Sequence, residues 1–226
     1  MNTSRSLPLI KLLQLVSPAL PIGMYSYSQG MEKAVDDGWL PDETAVLEWL
    51  DGLLLRSLGR TDLPVLARLY AAWSAHDDDG VQRWSGLLRA CRETDELRQE
   101  DLHVGQALAR VLSGLGMSEA ECWIRKPHAS LANLFSLAGV RWSIDREDLM
   151  AGYAWGWLEN QALCAIKLVP LGQSAGQRLL SELAARIPDT VSAALAVADE
   201  DIGGSSPSLG IVSSRHEVQY SRLFRS

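Results

Sequence analysis

Val46, Leu47, Leu50, Leu53, Leu54 and Leu58 recur at three- and four-residue steps, and Val65, Leu66, Leu69, Tyr70 and Trp73 repeat the pattern. Such spacing gathers side chains on one broad helix face, whereas a half-buried strand needs strict alternation. Thr61 and Asp62 stand between the two runs, where they are predicted to cap a new helix. The run HDDDG at 76–80 reads as a helix end and a solvated acidic turn, and helices are predicted over 81–94 and 96–113. Ser118 and Glu121 have capping-box spacing, Lys126-Pro127 ends the short helix they would start, and another is predicted over 129–142. Asp145 opens the longest apolar helix, 146–168, in which Gly152 and Gly156 allow close approach of a neighbouring helix. Pro170 ends it, Gly172 starts the next, and a last helix after Pro188 fades into Asp199, Glu200 and Asp201. Strand–turn–strand signals and fixed-period repeats are both missing. The reading is an all-α protein: a single domain of about eight to ten packed helices over 1–201, its segment 1–25 free to be flexible, followed by a flexible tail, 202–226.

The 226 residues suffice for a continuous core, and 47% apolar with 22% charged is an ordinary globular balance. A net charge of −7 argues against nonspecific binding to nucleic acid or anionic membranes. Cys91, Cys122 and Cys164 are few, odd in number and far apart, so a reducing compartment and buried thiols are expected. The first twenty residues lack the features of a signal peptide, and no apolar run approaches a membrane span. The expected location is the cytoplasm.

Residues 17–40, SPALPIGMYSYSQGMEKAVDDGWL, depart from the helical text. Pro18 and Pro21 fix an extended entry and Gly23 permits a turn. Ser26 and Gln29 have capping-box spacing, predicted to start the helix that carries Glu32 and Lys33. Tyr25 and Tyr27 either pack against that helix or offer a partner an aromatic surface with hydroxyls. The tail opens with the low-hydrophobicity stretch GGSSPSLG and closes with SRHEVQYSRLFRS. There Arg215, Arg222 and Arg225 face a lone carboxylate, Glu217, so the tail is locally basic on an acidic chain. Val218, Tyr220, Leu223 and Phe224 are residue types that anchor interfaces. Both a frayed terminus and a segment that orders on a partner fit; the Leu-Phe-Arg ending favours the second.

Motifs that carry chemistry do not form. Gly172-x3-Gly176-Gln177 has the wrong spacing for a phosphate-binding loop and lacks its lysine and hydroxyl. His216-Glu217 begins like a zinc-protease motif, but Tyr220 stands where the second histidine belongs, and GxSxG is absent. His76, His103, His128 and His216 fall in different predicted segments, which leaves only a metal site assembled from distant residues. No local feature would activate Cys91 or Cys164 as a nucleophile.

Three separated blocks resemble the UreF family of urease accessory proteins: 17–40; LCAIKLVPLGQSAGQRLL at 163–180; and SSRHEVQYSRLFRS at the end. The resemblance spans nearly the whole chain. It implies an all-α homodimer that acts in nickel insertion into apo-urease. It implies a bridge between a UreD-type (UreH-type) protein and the UreG-type GTPase, in a complex docked on the urease apoprotein. No cofactor would be stably bound: nickel is handled by the complex and GTP by the partner. By resemblance, Lys167 to Arg178 lies near the GTPase, where Gln173, Gln177 and above all Arg178 suit a contact. Lys167 also suits the C-terminus of its own helix. The tail would be the main contact for the UreD-type protein, through Arg215, His216, Glu217, Tyr220, Arg222, Leu223, Phe224 and Arg225, with Tyr25, Tyr27 and Glu32 as further partner-binding residues.

The leading expectation is therefore a non-enzymatic adaptor. A direct activator of the GTPase, with Arg178 conceivable as an arginine finger, is the second reading. A stand-alone metalloenzyme with His and Cys ligands is the third, and a polar passage that hands nickel through a dimer lies between classes.

Overall fold

The computed structural model describes residues 3–204 and 206–226, with side chains from residue 6 onward. Met1 and Asn2 of the 1–25 segment and Ser205 of the tail lie outside the described residues. In chain order the elements are α1 (Thr3–Leu15), a 3-10 turn (Met24–Ser26), α2 (Met31–Asp36), α3 (Glu43–Leu53), a π-helical stretch (Leu54–Asp62) and α4 (Leu63–Ala75). There follow α5 (Asp78–Ala90), α6 (Asp95–Gly114), α7 (Ser118–Glu121), α8 (Leu131–Arg141) and α9 (Arg146–Leu168). The last are α10 (Gln173–Ala184), α11 (Ile187–Leu195), a 3-10 turn (Asp199–Asp201) and α12 (Pro207–His216). Ten of these twelve α-helices have nine residues or more, and no strand occurs among the described residues. The all-α class and the single domain hold.

The long helix begins and ends where its signals stand. Asp145 accepts from the Glu147 N–H at the start of α9, and Val169-Pro170 leaves the helix at its other end. α9 is the central post, with α1, α2, α3, α4, α8, α10 and α11 packed around it. A Cβ on Gly152 would stand 2.6 Å from Leu12 Cδ1, so that glycine lets α1 lie directly against α9. Leu50, Leu54, Leu66, Leu69, Leu88, Leu108, Leu134 and Leu137 belong to one continuous core and are fully buried.

The break predicted at Thr61-Asp62 does not occur. α3 runs through the π-helical stretch into α4 without a loop, and the Asp62 side chain caps nothing. Pro64 supplies a physical reason for the irregular stretch, since it has no N–H for the Arg60 carbonyl; the Gly203 N–H donates to that oxygen at 3.0 Å. The capping box at Ser118 and Glu121 is likewise unmade, because Ser118 Oγ turns to Glu119.

Candidate functional site

The first and last sequence blocks meet in space. Of residues 202–226, expected to be a flexible tail, 207–216 form α12 against α2 and α6, and 217–226 lie as an irregular strap along the body. The entry loop turns through left-handed Gln29 and Gly30 (φ 52° and 76°), and α2 follows. That turn moves the cap from Ser26 to Ser28, whose Oγ accepts the Glu32 N–H at 3.2 Å. Gly30 is also needed for space, since a Cβ there would be 2.7 Å from Val212 Cγ2 of α12.

The strap is held mainly by polar anchors. Both oxygens of the Glu32 carboxylate accept strap amides, Leu223 N–H at 2.7 Å and Phe224 N–H at 2.8 Å. The Arg225 N–H donates to the Ser26 carbonyl at 2.8 Å. The Ser226 carbonyl accepts from Ser28 twice, from the amide at 2.8 Å and from Oγ at 2.6 Å. Glu96 and Glu100 are four apart on α6 and share one face. Glu100 accepts from Ser226 Oγ and Gln29 Nε2, each at 2.8 Å. Glu96 takes Arg222 at 2.8 Å and His216 Nδ1 at 2.7 Å. His216 is fully buried, with Nε2 at 3.5 Å from Glu32. Glu217 Oε1 receives the Asp95 N–H at the start of α6, and Arg215 pairs with Asp37 at 3.0 Å. A basic segment is thus seated on a row of carboxylates.

Apolar burial alone does not account for this docking. Phe224 is the buried anchor of the strap, with Lys167 Nζ 5.6 Å from its ring centroid. One buried phenylalanine is worth ~3 kcal/mol at most, whereas ordering each backbone residue costs ~1–2 kcal/mol. Hydrogen bonds to charged acceptors, at ~1.5–3 kcal/mol apiece, have to supply the balance. Beside the exposed Glu217, Ser221, Arg222 and Arg225, the strap turns three apolar side chains outward: Val218 and Leu223 are 83% and 66% exposed, and Tyr220 is fully exposed.

Beside α12 lies a cavity of about 70 Å³ whose walls set the polar Gln29, Asp62, Arg92, Glu100, Tyr153 and Asn160 among apolar side chains such as Leu97 and Leu209. Arg92 grips Asp62 with two bonds, at 2.6 and 3.0 Å, and reaches Asp101 at 3.4 Å, while Tyr153 donates to Asp62 at 3.2 Å. This is what Asp62 does in place of capping a helix. Burial works against the Arg92 charge, but Asp62 and Asp101 hold its value well above the usual one. Burial also pushes the Glu100 carboxyl up to about 7, against the pull of the Gln29 and Ser226 hydrogen bonds. The same cause raises Asp101, opposed by Arg92.

The other expected residues divide. Tyr27 is core, 4% exposed, so its ring takes the packing alternative; its carbonyl accepts from Asn160 Nδ2 at 3.0 Å. Tyr25 is half-buried and donates to Glu159 at 3.2 Å; burial first, then that carboxylate, raises its phenol. Lys167, Gln173, Gln177 and Arg178 are exposed at the end of α9 and on α10. Arg178 is engaged, making two bonds to Glu43 of α3 at 2.7 and 3.1 Å. His76 ends α4, His103 is exposed on α6, and His128 contacts Gln82, all apart from His216. Among the described residues, no group of three or more His, Cys, Asp or Glu is arranged to hold a metal ion. Cys164 is buried, which pushes its thiol up to about 12.

Ser28, Glu96 and Glu100 were missed by sequence reasoning. The four-residue spacing of the two glutamates was visible, but their role depends on a strap more than a hundred residues away.

Comparison with known proteins gives consistent matches. The sequence model of the UreF family matches residues 40–184. A protein of Alkalilimnicola ehrlichii called urease accessory protein UreF is 53% identical over 225 residues, covering 100% of this chain and 99% of the relative. Relatives of the same name from Hahella chejuensis and Teredinibacter turnerae are 47% and 49% identical, over 97% and 96% of this chain and 99% and 98% of their own lengths. No helix among the described residues is long and apolar enough to cross a membrane.

Proposed function

The chain belongs to the UreF family of urease accessory proteins, and on that premise we propose that it is a non-enzymatic adaptor in nickel insertion into apo-urease. In this reading it works in the cytoplasm as a homodimer. The strap meets a UreD-type (UreH-type) protein, and the exposed side of α10, with Gln173, Gln177 and Arg178, meets the UreG-type GTPase. The assembly docks on the urease apoprotein, nickel passes through it as cargo, and GTP belongs to the partner. The observation that carries the reading is the strap itself: its backbone is fastened to the body while Val218, Tyr220 and Leu223 face outward. Exposed apolar groups on an ordered backbone suit a protein interface, because most of the ordering cost is met before the partner arrives.

The test is a pull-down with the UreD-type and UreG-type proteins, using the full chain and a chain ending at Ser214. The full chain is expected to capture the UreD-type protein and the shortened chain to lose it while keeping its helical content. Capture by the shortened chain would refute the role given to the strap.

Direct activation of the GTPase is a second reading, favoured by the exposure of Arg178 on α10. It requires the guanidinium to leave Glu43. A rise in GTP hydrolysis on adding this chain alone, abolished by Arg178→Ala, would support it over the adaptor role.

A further inference from the structure

Glu32 stands in the first of the three sequence blocks, 17–40, yet only 8% of it is exposed. A side chain so covered offers a partner almost no surface. Its carboxylate is spent on the chain itself, one oxygen to the Leu223 amide and the other to the Phe224 amide. His216, the last residue of α12, closes the third side at 3.5 Å. The strap between 217 and 226 has no helix or strand of its own; the amides of Glu217, Val218 and Gln219 turn back onto α12, and those of Leu223, Phe224 and Arg225 depend on acceptors from the body. The two amides on Glu32 belong to the residues that carry the outward Leu223 and the inward Phe224. Fixing both at one carboxylate sets which side chain points in and which points out.

We propose that Glu32 is the positioning residue of the interface, acting on the partner only through the strap, which it holds with Phe224 seated and Leu223, Tyr220 and Val218 presented. The inference rests on the strap being the partner-binding element, as proposed above. The surface so presented is apolar and flanked by Arg215 and Arg222, both already leaning on body carboxylates. It fits a partner face that is apolar at its centre and acidic at its rim. Other anchors do not duplicate Glu32 at the amides of Leu223 and Phe224: on the strap, Ser28 and Glu100 hold Ser226, the Ser26 carbonyl holds Arg225, and Glu96 holds the Arg222 side chain.

The experiment compares the full chain, Glu32→Ala, Glu32→Gln and a chain ending at Ser214, by amide hydrogen exchange and by capture of the UreD-type protein. In Glu32→Ala, exchange at Leu223 and Phe224 is expected to rise about a hundredfold or more, the scale of two lost charge-assisted bonds, and capture to weaken at least about tenfold. Amides of α9 should keep their protection, which separates strap release from unfolding. Glu32→Gln retains one accepting oxygen and is expected to fall between. Capture lost by the shortened chain but kept by Glu32→Ala would overturn this inference and leave the strap reading standing. Weakened capture with unchanged exchange would also overturn it, since Glu32 would then act by contact. Capture kept by the shortened chain would overturn both.

Discussion

The same substitution, Gly→Ala, is expected to move stability in opposite directions at two helical positions. In α6, a Cβ on Gly105 would lie 2.6 Å from both the carbonyl carbon and the amide nitrogen of Ser130, and 2.7 Å from its Cα. The obstacle is backbone, so it cannot rotate away, and ordinary van der Waals contact begins near 3.4 Å. α6 and the start of α8 must therefore part by roughly 0.8 Å, an overpacking cost of ~1–3 kcal/mol. Ser130 is also the cap of α8, its Oγ accepting the Asn133 N–H at 3.1 Å. Disturbing such a cap costs ~1 kcal/mol. Against these, alanine gains ~1 kcal/mol over glycine inside a helix. The net is a loss of about 1–3 kcal/mol. Gly86 of α5 is exposed, and a Cβ there would have nothing within 4 Å. Only the propensity gain acts there, so Gly86→Ala should stabilise by ~0.5–1 kcal/mol. Urea unfolding followed by circular dichroism gives both values. A Gly105→Ala protein as stable as the parent would refute the close approach of α6 to Ser130.

Two further outcomes follow from the charges. Glu100, raised from 4.5 to about 7 by burial, makes folding proton-linked: stability present below pH 4.5 is lost as pH rises through about 7, and Asp101 shifts in the same direction. Over that window the Glu100 contribution is ~3 kcal/mol, so urea midpoints should fall from pH 5.5 to 8 and fall less in Glu100→Gln. Arg178 and Glu43 make a bidentate pair whose side chains are 63% and 36% exposed. Such a surface pair contributes under ~1 kcal/mol, so Arg178→Ala should melt within a few degrees of the parent, and any loss of GTPase capture would report contact rather than unfolding.

What the sequence disclosed depended on how local each cause was. Helix 146–168 was legible to the residue, because Asp145 and Pro170 stand beside its ends. Asp62 was misleading for the converse reason. An aspartate before an apolar run looks like a cap, and its true partner, Arg92, is thirty residues away. α12 went unread because PSLGIVSSRH has few apolar positions, and its register depends on Gly30 and Thr94, distant in the chain. For the candidate site, the blocks 17–40 and 214–226 were visible as unusual text. Their mutual contact was not, since nothing in either block says that Glu32 will accept the amides of Leu223 and Phe224.

The adaptor account is tested most directly by native mass spectrometry of mixtures of this chain with the UreD-type and UreG-type proteins. It predicts one species containing both partners when the chain is present and none containing both when it is absent. A UreD-type–UreG-type complex that forms without this chain, or a chain that binds the two only in exclusion of each other, would contradict it.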